Sequence, residues 1–191
     1  MKKRSRFFFQ IEEKFKILYP GLTVMECGCA PGSWSQVAAK LVNAGGLYEQ
    51  DRLDGLLVGC DLLHIEPVPG AILLPHRDFT DENAQKEIIN AIGDRKTFDV
   101  VLSDMAPNAS GIKSLDHERI ISLALKVKDF TLTHGRVGTC LVIKVWQGSL
   151  LKRFKEILKE DFKNVQEFKP KASRKDSAEI YIVATSLIKS P

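Results

Sequence analysis

Short apolar or β-branched runs alternate along this chain with segments whose apolar residues recur every three or four positions, the signatures of strand and helix. The runs predict strands at Leu22–Cys27, Leu56–Cys60, Ala71–Leu74, Phe98–Ser103, Val137–Val145, Val165–Phe168 and Glu179–Ala184. Between them, Ile120, Ala124, Val127 and Phe130 share one face of a helix, and Leu150, Phe154, Ile157, Leu158 and Phe162 share one face of another. Residues 34–43 and 81–92 carry weaker helical patterns, the second with Thr80 or Asp81 placed to cap it. The opening stretch RSRFFFQIEEKF, Arg4 to Phe15, reads as a first helix with most of its phenylalanines packed.

This alternation over the whole length predicts a single α/β domain built on a mostly parallel, seven-stranded sheet. Only the polar loop Lys169–Ala178 separates the last two strands, so they are expected to form an antiparallel hairpin at one edge. Residues 44–55 look like an inserted surface loop, and no repeat, low-complexity tract or linker divides the chain.

Composition narrows the partners only a little. The 191 residues suffice for one core and are short for two. Against 24 Asp and Glu stand 28 Lys and Arg, a net charge of +4 that admits RNA or DNA without demanding it. No apolar run approaches the ~20 residues that span a bilayer, so no membrane association is expected. The basic start is followed at once by charged residues, which is not the pattern of a signal peptide. Cys27, Cys29, Cys60 and Cys140 lie in or beside apolar strands without zinc-site spacing and read as reduced core thiols. The four histidines are scattered, and no metal is expected.

Ligands of parallel sheets gather beyond the carboxyl ends of the strands, and several ends here are chemically loaded. The first strand ends in MECGCAPGSWSQ, where Gly28 and Gly32 bracket a turn into a helix and let a ligand approach the backbone. The spacing is not the G-x-G-x-x-G of dinucleotide folds. Asp61 ends the second strand, placed to accept ribose hydroxyls of either NAD or S-adenosylmethionine. Asp78 and Phe79 follow the third, suited to an adenine edge and face, although Asp78 alone also reads as a loop carboxylate or helix cap. Asp104 emerges from an apolar strand, Lys144 stands inside another where a lysine is costly unless paired, and Glu179 opens the last strand. Together these three make a charged cluster, the bland alternative for Lys144 being a lysine snorkelling from an edge strand. Lys2, Lys3, Arg4 and Arg6 form one basic cluster, and Lys169, Lys171, Arg174 and Lys175 another; each alone is also explained as a solvated face.

The motifs RSR, CGCAPGSWSQ, CDLL, RDFTD, SDMAPNASG, IKVWQG and SRKDSAEIYIVAT, in this order, resemble the FtsJ (RrmJ) family of RNA ribose 2′-O-methyltransferases across essentially the whole chain. DLLHIEP, SLDHERIISL and ASRKDSAEIY look closest to the family's mitochondrial branch, which modifies large-subunit ribosomal RNA. The resemblance implies a single Rossmann-like methyltransferase domain over residues 1–191, with 1–19 contributing to the RNA and catalytic face. It implies S-adenosylmethionine as cofactor, bound by Gly28, Ala30, Pro31, Gly32, Ser33, Trp34, Asp61, Asp78, Phe79 and Asp104. It also implies a Lys-Asp-Lys-Glu tetrad, in which Asp104, Lys144 and Glu179 match three members and Lys144 is the candidate base or orienting group. At the fourth position this chain has Gln10, which leaves two carboxylates and one lysine, a formal charge of −1 instead of zero.

The RNA contacts expected are Lys2, Lys3, Arg4, Arg6, Lys171, Arg174 and Lys175, gripping phosphates around the cleft. The expected partner is ribosomal RNA or a large-subunit precursor, met by a monomer and methylated at a uridine. By resemblance the location is the mitochondrial matrix, with the cytoplasm as the alternative, since no transit peptide is visible. Two other functions compete: a tRNA ribose methyltransferase of the same family, and a catalytically weakened RNA-binding factor for ribosome assembly, which Gln10 favours.

Overall fold

A computed structural model describes residues 3–171, 173 and 177–189. In chain order it contains α1 (Lys3–Phe15), β1 (Thr23–Cys27), α2 (Ser35–Val42), β2 (Leu56–Asp61), β3 (Ala71–Pro75) and α3 (Glu82–Ala91). There follow β4 (Phe98–Ser103), α4 (Lys113–His134), β5 (Gly135–Trp146), α5 (Leu151–Asp161), β6 (Phe162–Phe168) and β7 (Glu179–Leu187). The strands form one sheet in the order β3-β2-β1-β4-β5-β7-β6, parallel from β3 through β5.

Strand β7 runs antiparallel to both β5 and β6. The expected β6–β7 hairpin is present, and β7 also inserts beside β5, leaving β6 at the edge. That placement explains the burial: Ile180 to Ala184 are sealed on both faces, while β6 alternates into solvent.

Side chains alternate across the sheet and fill two cores. Met25, Val58, Val101, Leu141 and Ile143 face α3, α4 and α5, meeting Ile88, Ile120, Phe130 and Phe154. Val24, Leu57, Val100, Val142 and Val183 face α1 and α2, meeting Phe8, Ile11, Trp34 and Ala38. Strands covered on both faces read as continuous apolar runs, which is why a charged residue within one stands out. Phe7 and Phe8 are buried, Phe8 stacked on Trp34 at 4.6 Å, and Phe9 is left exposed.

Loop 44–55 is held from below by buried Asn43, itself left-handed at φ 57°. Its amide donates to the carbonyl of Glu49 at 2.9 Å, and its Oδ1 accepts from the N–H groups of Tyr48 and Glu49. Helix α4 begins seven residues before Ile120, the first residue of the apolar stripe, because its first turns face loops instead of the core. Asp116 there accepts from the N–H and hydroxyl of Ser110, and His117 Nε2 accepts from the Leu150 N–H at 3.0 Å.

Candidate active site

The sheet order reverses direction between β1 and β4, and the exits of these strands meet at Gly28 and Met105. Gly28 has φ +77°, and a Cβ there would lie 2.6 Å from Met105 Cγ and 2.9 Å from its backbone nitrogen. Only glycine lets the two exits close up in this way. The N–H groups of Gly28 and Cys29 donate to the carbonyl of Cys60, at 2.9 and 3.2 Å, tying the turn to β2.

Asp61, at the end of β2, accepts from the Ala30 N–H at 2.8 Å and from the Leu63 N–H at 2.9 Å, one bond to each oxygen. A carboxylate offers about four acceptor positions, so each oxygen can still take a hydroxyl. Beside it opens a cavity of about 530 Å³, within the range of small-molecule sites. Gly28, Ala30, Asp61, Asp78, Phe79 and Asp104 line it, together with Lys144. Asp78 Oδ1 accepts from both the N–H and hydroxyl of Thr80 at 2.8 Å. The Phe79 ring is buried edge-on against Phe130 at 5.1 Å and forms wall rather than a free stacking face.

Pro31, Gly32, Ser33 and Trp34 stand apart from the cavity lining. Ser33 offers its carbonyl to the Ser5 hydroxyl at 3.2 Å, and Trp34 packs between Phe8 and Tyr181, so this end of the turn anchors α1. Leu62 and Leu63, two exposed leucines directly after Asp61, also line the cavity and were not among the expected site residues. An apolar pair following an acidic strand end was the available signal. Arg119 and Lys126 of α4 also line it and belong to neither of the basic clusters named above.

At the inner end, Lys144 Nζ lies 3.1 Å from Asp104 Oδ1 and also donates to the Asp104 carbonyl. The Tyr181 hydroxyl donates to the same Asp104 Oδ1 at 3.2 Å. Tyr181 pairs with Lys144 across β5 and β7, and Glu179 pairs with Trp146 two residues along. Lys144, Tyr181 and Glu179 therefore project from one face of the sheet, Glu179 on the diagonal at roughly 7–8 Å. Tyr181 was not foreseen, because within EIYIVA it reads as ordinary strand core.

Glu26 was also passed over, although an acid inside the strand TVMEC is itself a signal. It is buried and accepts from the Ser35 hydroxyl at 2.7 Å. Burial pushes its carboxyl up from 4.5 to about 8; the Ser35 bond works against this, and the charges of Asp104 and Asp61 add to it.

Gln10 turns its side-chain oxygen to the backbone N–H of Lys171, at 2.7 Å. Lys14, one turn further along α1, lies over the rings of Phe15 and Phe168 at 4.8 and 5.3 Å and is committed there. Arg6 and Lys171 are exposed. Lys2, Arg174 and Lys175 lie outside the described residues, as do the side chains of Lys3 and Arg4. Among the described residues, no group of three His, Cys, Asp or Glu side chains is placed to hold a metal, and no helix is long and apolar enough to cross a membrane.

The strand order, the antiparallel strand inserted next to β5 and the acid-lined cavity at the sheet's reversal define a Rossmann-like methyltransferase. A ribosomal RNA methyltransferase structure from Plasmodium falciparum superposes with a TM-score of 0.80 over 98% of both chains, at 24% identity, which establishes the fold. The chain is 44% identical over 182 residues to "rRNA methyltransferase 2, mitochondrial" of Drosophila melanogaster, covering 95% of this chain and 72% of that protein. To "Ribosomal RNA large subunit methyltransferase E" of Paramagnetospirillum magneticum it is 43% identical over 185 residues, 95% of this chain and 73% of that one. The family described as FtsJ-like methyltransferase matches residues 8–187, and the chain belongs to it. FtsJ-like methyltransferases use S-adenosylmethionine. The cavity suits that molecule in size, in the spare acceptor positions of Asp61 and in the glycine-only approach at Gly28.

Proposed function

We propose that this chain methylates a ribose 2′-hydroxyl, that of a uridine, in large-subunit ribosomal RNA. The observation that carries the reading is the buried Asp104–Lys144–Tyr181 cluster at the inner end of a cavity that fits S-adenosylmethionine. The relatives named for ribosomal RNA, and for its large subunit, supply the substrate class.

In this reading Asp61 accepts the cofactor's ribose hydroxyls, Asp78 and the Phe79 wall border its adenine, and Gly28 and Ala30 line its path towards Asp104. The cofactor supplies an electrophilic methyl group carried on a positive sulfonium. Lys144 has three N–H positions, of which two are committed to Asp104. The third would meet the ribose 2′-oxygen, hold it in line and steady the negative charge that develops as the hydroxyl proton passes to solvent water. Asp104 and Tyr181 keep the ammonium aimed, and Glu179 stands two residue pairs further along, opposite Trp146.

The chain works as one domain, because α1 is built into the core through Phe8 and Trp34. Residues 1–19 and the Lys169–Ala178 loop form the RNA face. A single chain supplies both cluster and cavity, which supports a monomer. We place it in the mitochondrial matrix on the strength of the Drosophila relative, while bacterial relatives of similar identity favour a cytoplasmic setting.

The test offers labelled S-adenosylmethionine with large ribosomal subunits, or with tRNA, from cells lacking this protein. Label in large-subunit RNA at a mapped ribose supports the proposal. Label in tRNA alone, or cofactor binding with no transfer to either, overturns it in favour of a tRNA enzyme or an assembly factor respectively.

A further inference from the structure

We propose that Gln10 is a positioning residue whose carboxamide latches the Lys169–Ala178 loop to α1, joining two basic segments into one RNA-binding rim. The proposal rests on the RNA substrate argued above.

The contact bridges 161 positions of sequence: Gln10 Oε1 accepts the Lys171 N–H at 2.7 Å. It is one of several ties on this loop. Lys169 Nζ donates to the Ser177 carbonyl at 2.9 Å, closing the loop across its base. Ser173 N–H donates to the Pro170 carbonyl at 2.9 Å, forming a turn over buried Pro170. The Gln147 N–H donates to the Ala178 carbonyl at 2.8 Å, which fixes the far end of the loop three residues beyond Lys144. The loop is thus tied to the exit of the strand that carries Lys144, and Gln10 supplies its tie to α1.

Charge indicates what the rim is for. Arg6 stands four residues before Gln10 on α1, where side chains are neighbours on a helix surface. The latch consequently brings exposed Arg6 beside the segment that carries Lys169 and Lys171. Like charges gathered in this way repel, and a phosphate backbone laid between them relieves the repulsion. A glutamine suits the position chemically. It accepts the N–H without adding charge, whereas a lysine ammonium has three donors and no acceptor and cannot hold the loop.

The experiment measures amide hydrogen exchange at Lys171, together with KM and kcat for methylation of undermethylated large subunits. It compares wild type with Gln10→Ala, Gln10→Lys and Gln10→Glu. We expect Gln10→Ala and Gln10→Lys to speed Lys171 exchange and raise KM for the subunit roughly 3- to 10-fold, as loss of one hydrogen bond allows, with cofactor affinity unchanged. Glu retains an acceptor and should keep Lys171 protected. Equal Lys171 exchange in wild type and Gln10→Ala would refute the latch. Faster exchange with unchanged KM would refute its role in RNA binding, and a fall in kcat alone would instead place Gln10 in the chemistry. If wild type transfers no methyl group to RNA, the proposed function fails, and binding of the same subunits, measured without turnover, then reads the rim.

Discussion

Lys144 and Asp104 form a sealed ion pair: Nζ and Oδ1 are 3.1 Å apart, and their side chains are 3% and 5% exposed. A buried pair contributes little net stability beside apolar residues of the same size, yet removing one partner strands the other. Lys144→Met should therefore cost about 3–5 kcal/mol in a urea titration. The double variant Lys144→Met, Asp104→Leu should recover much of that loss. Neither should recover activity: methyl transfer should fall about 10²- to 10³-fold in both, the range for losing a donor that stabilises charge developing in the transition state. Methylation by Lys144→Met at the wild-type rate would remove Lys144 from the mechanism.

Gly28→Ala tests the approach of the two strand exits. The new methyl would sit 2.6 Å from Met105 Cγ at a backbone φ of +77°, so both contact and conformation oppose it. The left-handed backbone alone costs an L-residue about 1–2 kcal/mol. Displacing Met105 shifts the loop that follows Asp104, and cofactor affinity by calorimetry should drop at least about tenfold, which is 1.4 kcal/mol. Unchanged affinity would mean that the exits can part without disturbing the cavity.

Asp61→Asn separates the carboxylate's two tasks. The amide nitrogen can replace neither acceptor, so one of the bonds from Ala30 and Leu63 must break, and one acceptor position facing the cavity is lost. S-adenosylmethionine and S-adenosylhomocysteine share the ribose and differ in the methyl group, so both should weaken by the same factor. Selective weakening of S-adenosylmethionine would instead place Asp61 near the sulfonium.

Legibility of this molecule in its sequence followed the range of the forces involved. Strands β1, β2, β4 and β5 were readable because burial on both faces writes itself as apolar runs, and Asp104 and Lys144 because a charge at the end of such a run or inside it needs a partner. The insertion of β7 between β5 and β6 was not readable, since strand order depends on pairing between distant segments. Tyr181 was hidden for a different reason: its ring belongs to the core and only its hydroxyl belongs to the site. The role of Gln10 depended on where a loop 161 residues away returns, which no local pattern carries.

Glu26 gives the last prediction, a dependence of stability on pH. Its carboxyl is held at about 8 in the folded protein against 4.5 in the unfolded chain, chiefly by burial. The folded state therefore binds this proton more tightly, and the sign follows from linkage. Below pH 4.5 the group is protonated in both states and its contribution is present in full. As pH rises from there, the unfolded chain gives up the proton first, and stability falls until the folded group also ionises near pH 8. Glu26→Gln has the same shape, remains neutral and still accepts from Ser35 through its amide oxygen. Its unfolding free energy should match wild type near pH 4 and exceed it increasingly towards pH 8, by a few kcal/mol at most, in parallel urea titrations. Parallel pH profiles for the two proteins would show that Glu26 is ionised beneath the glycine turn, with a counter-charge close enough to offset its burial.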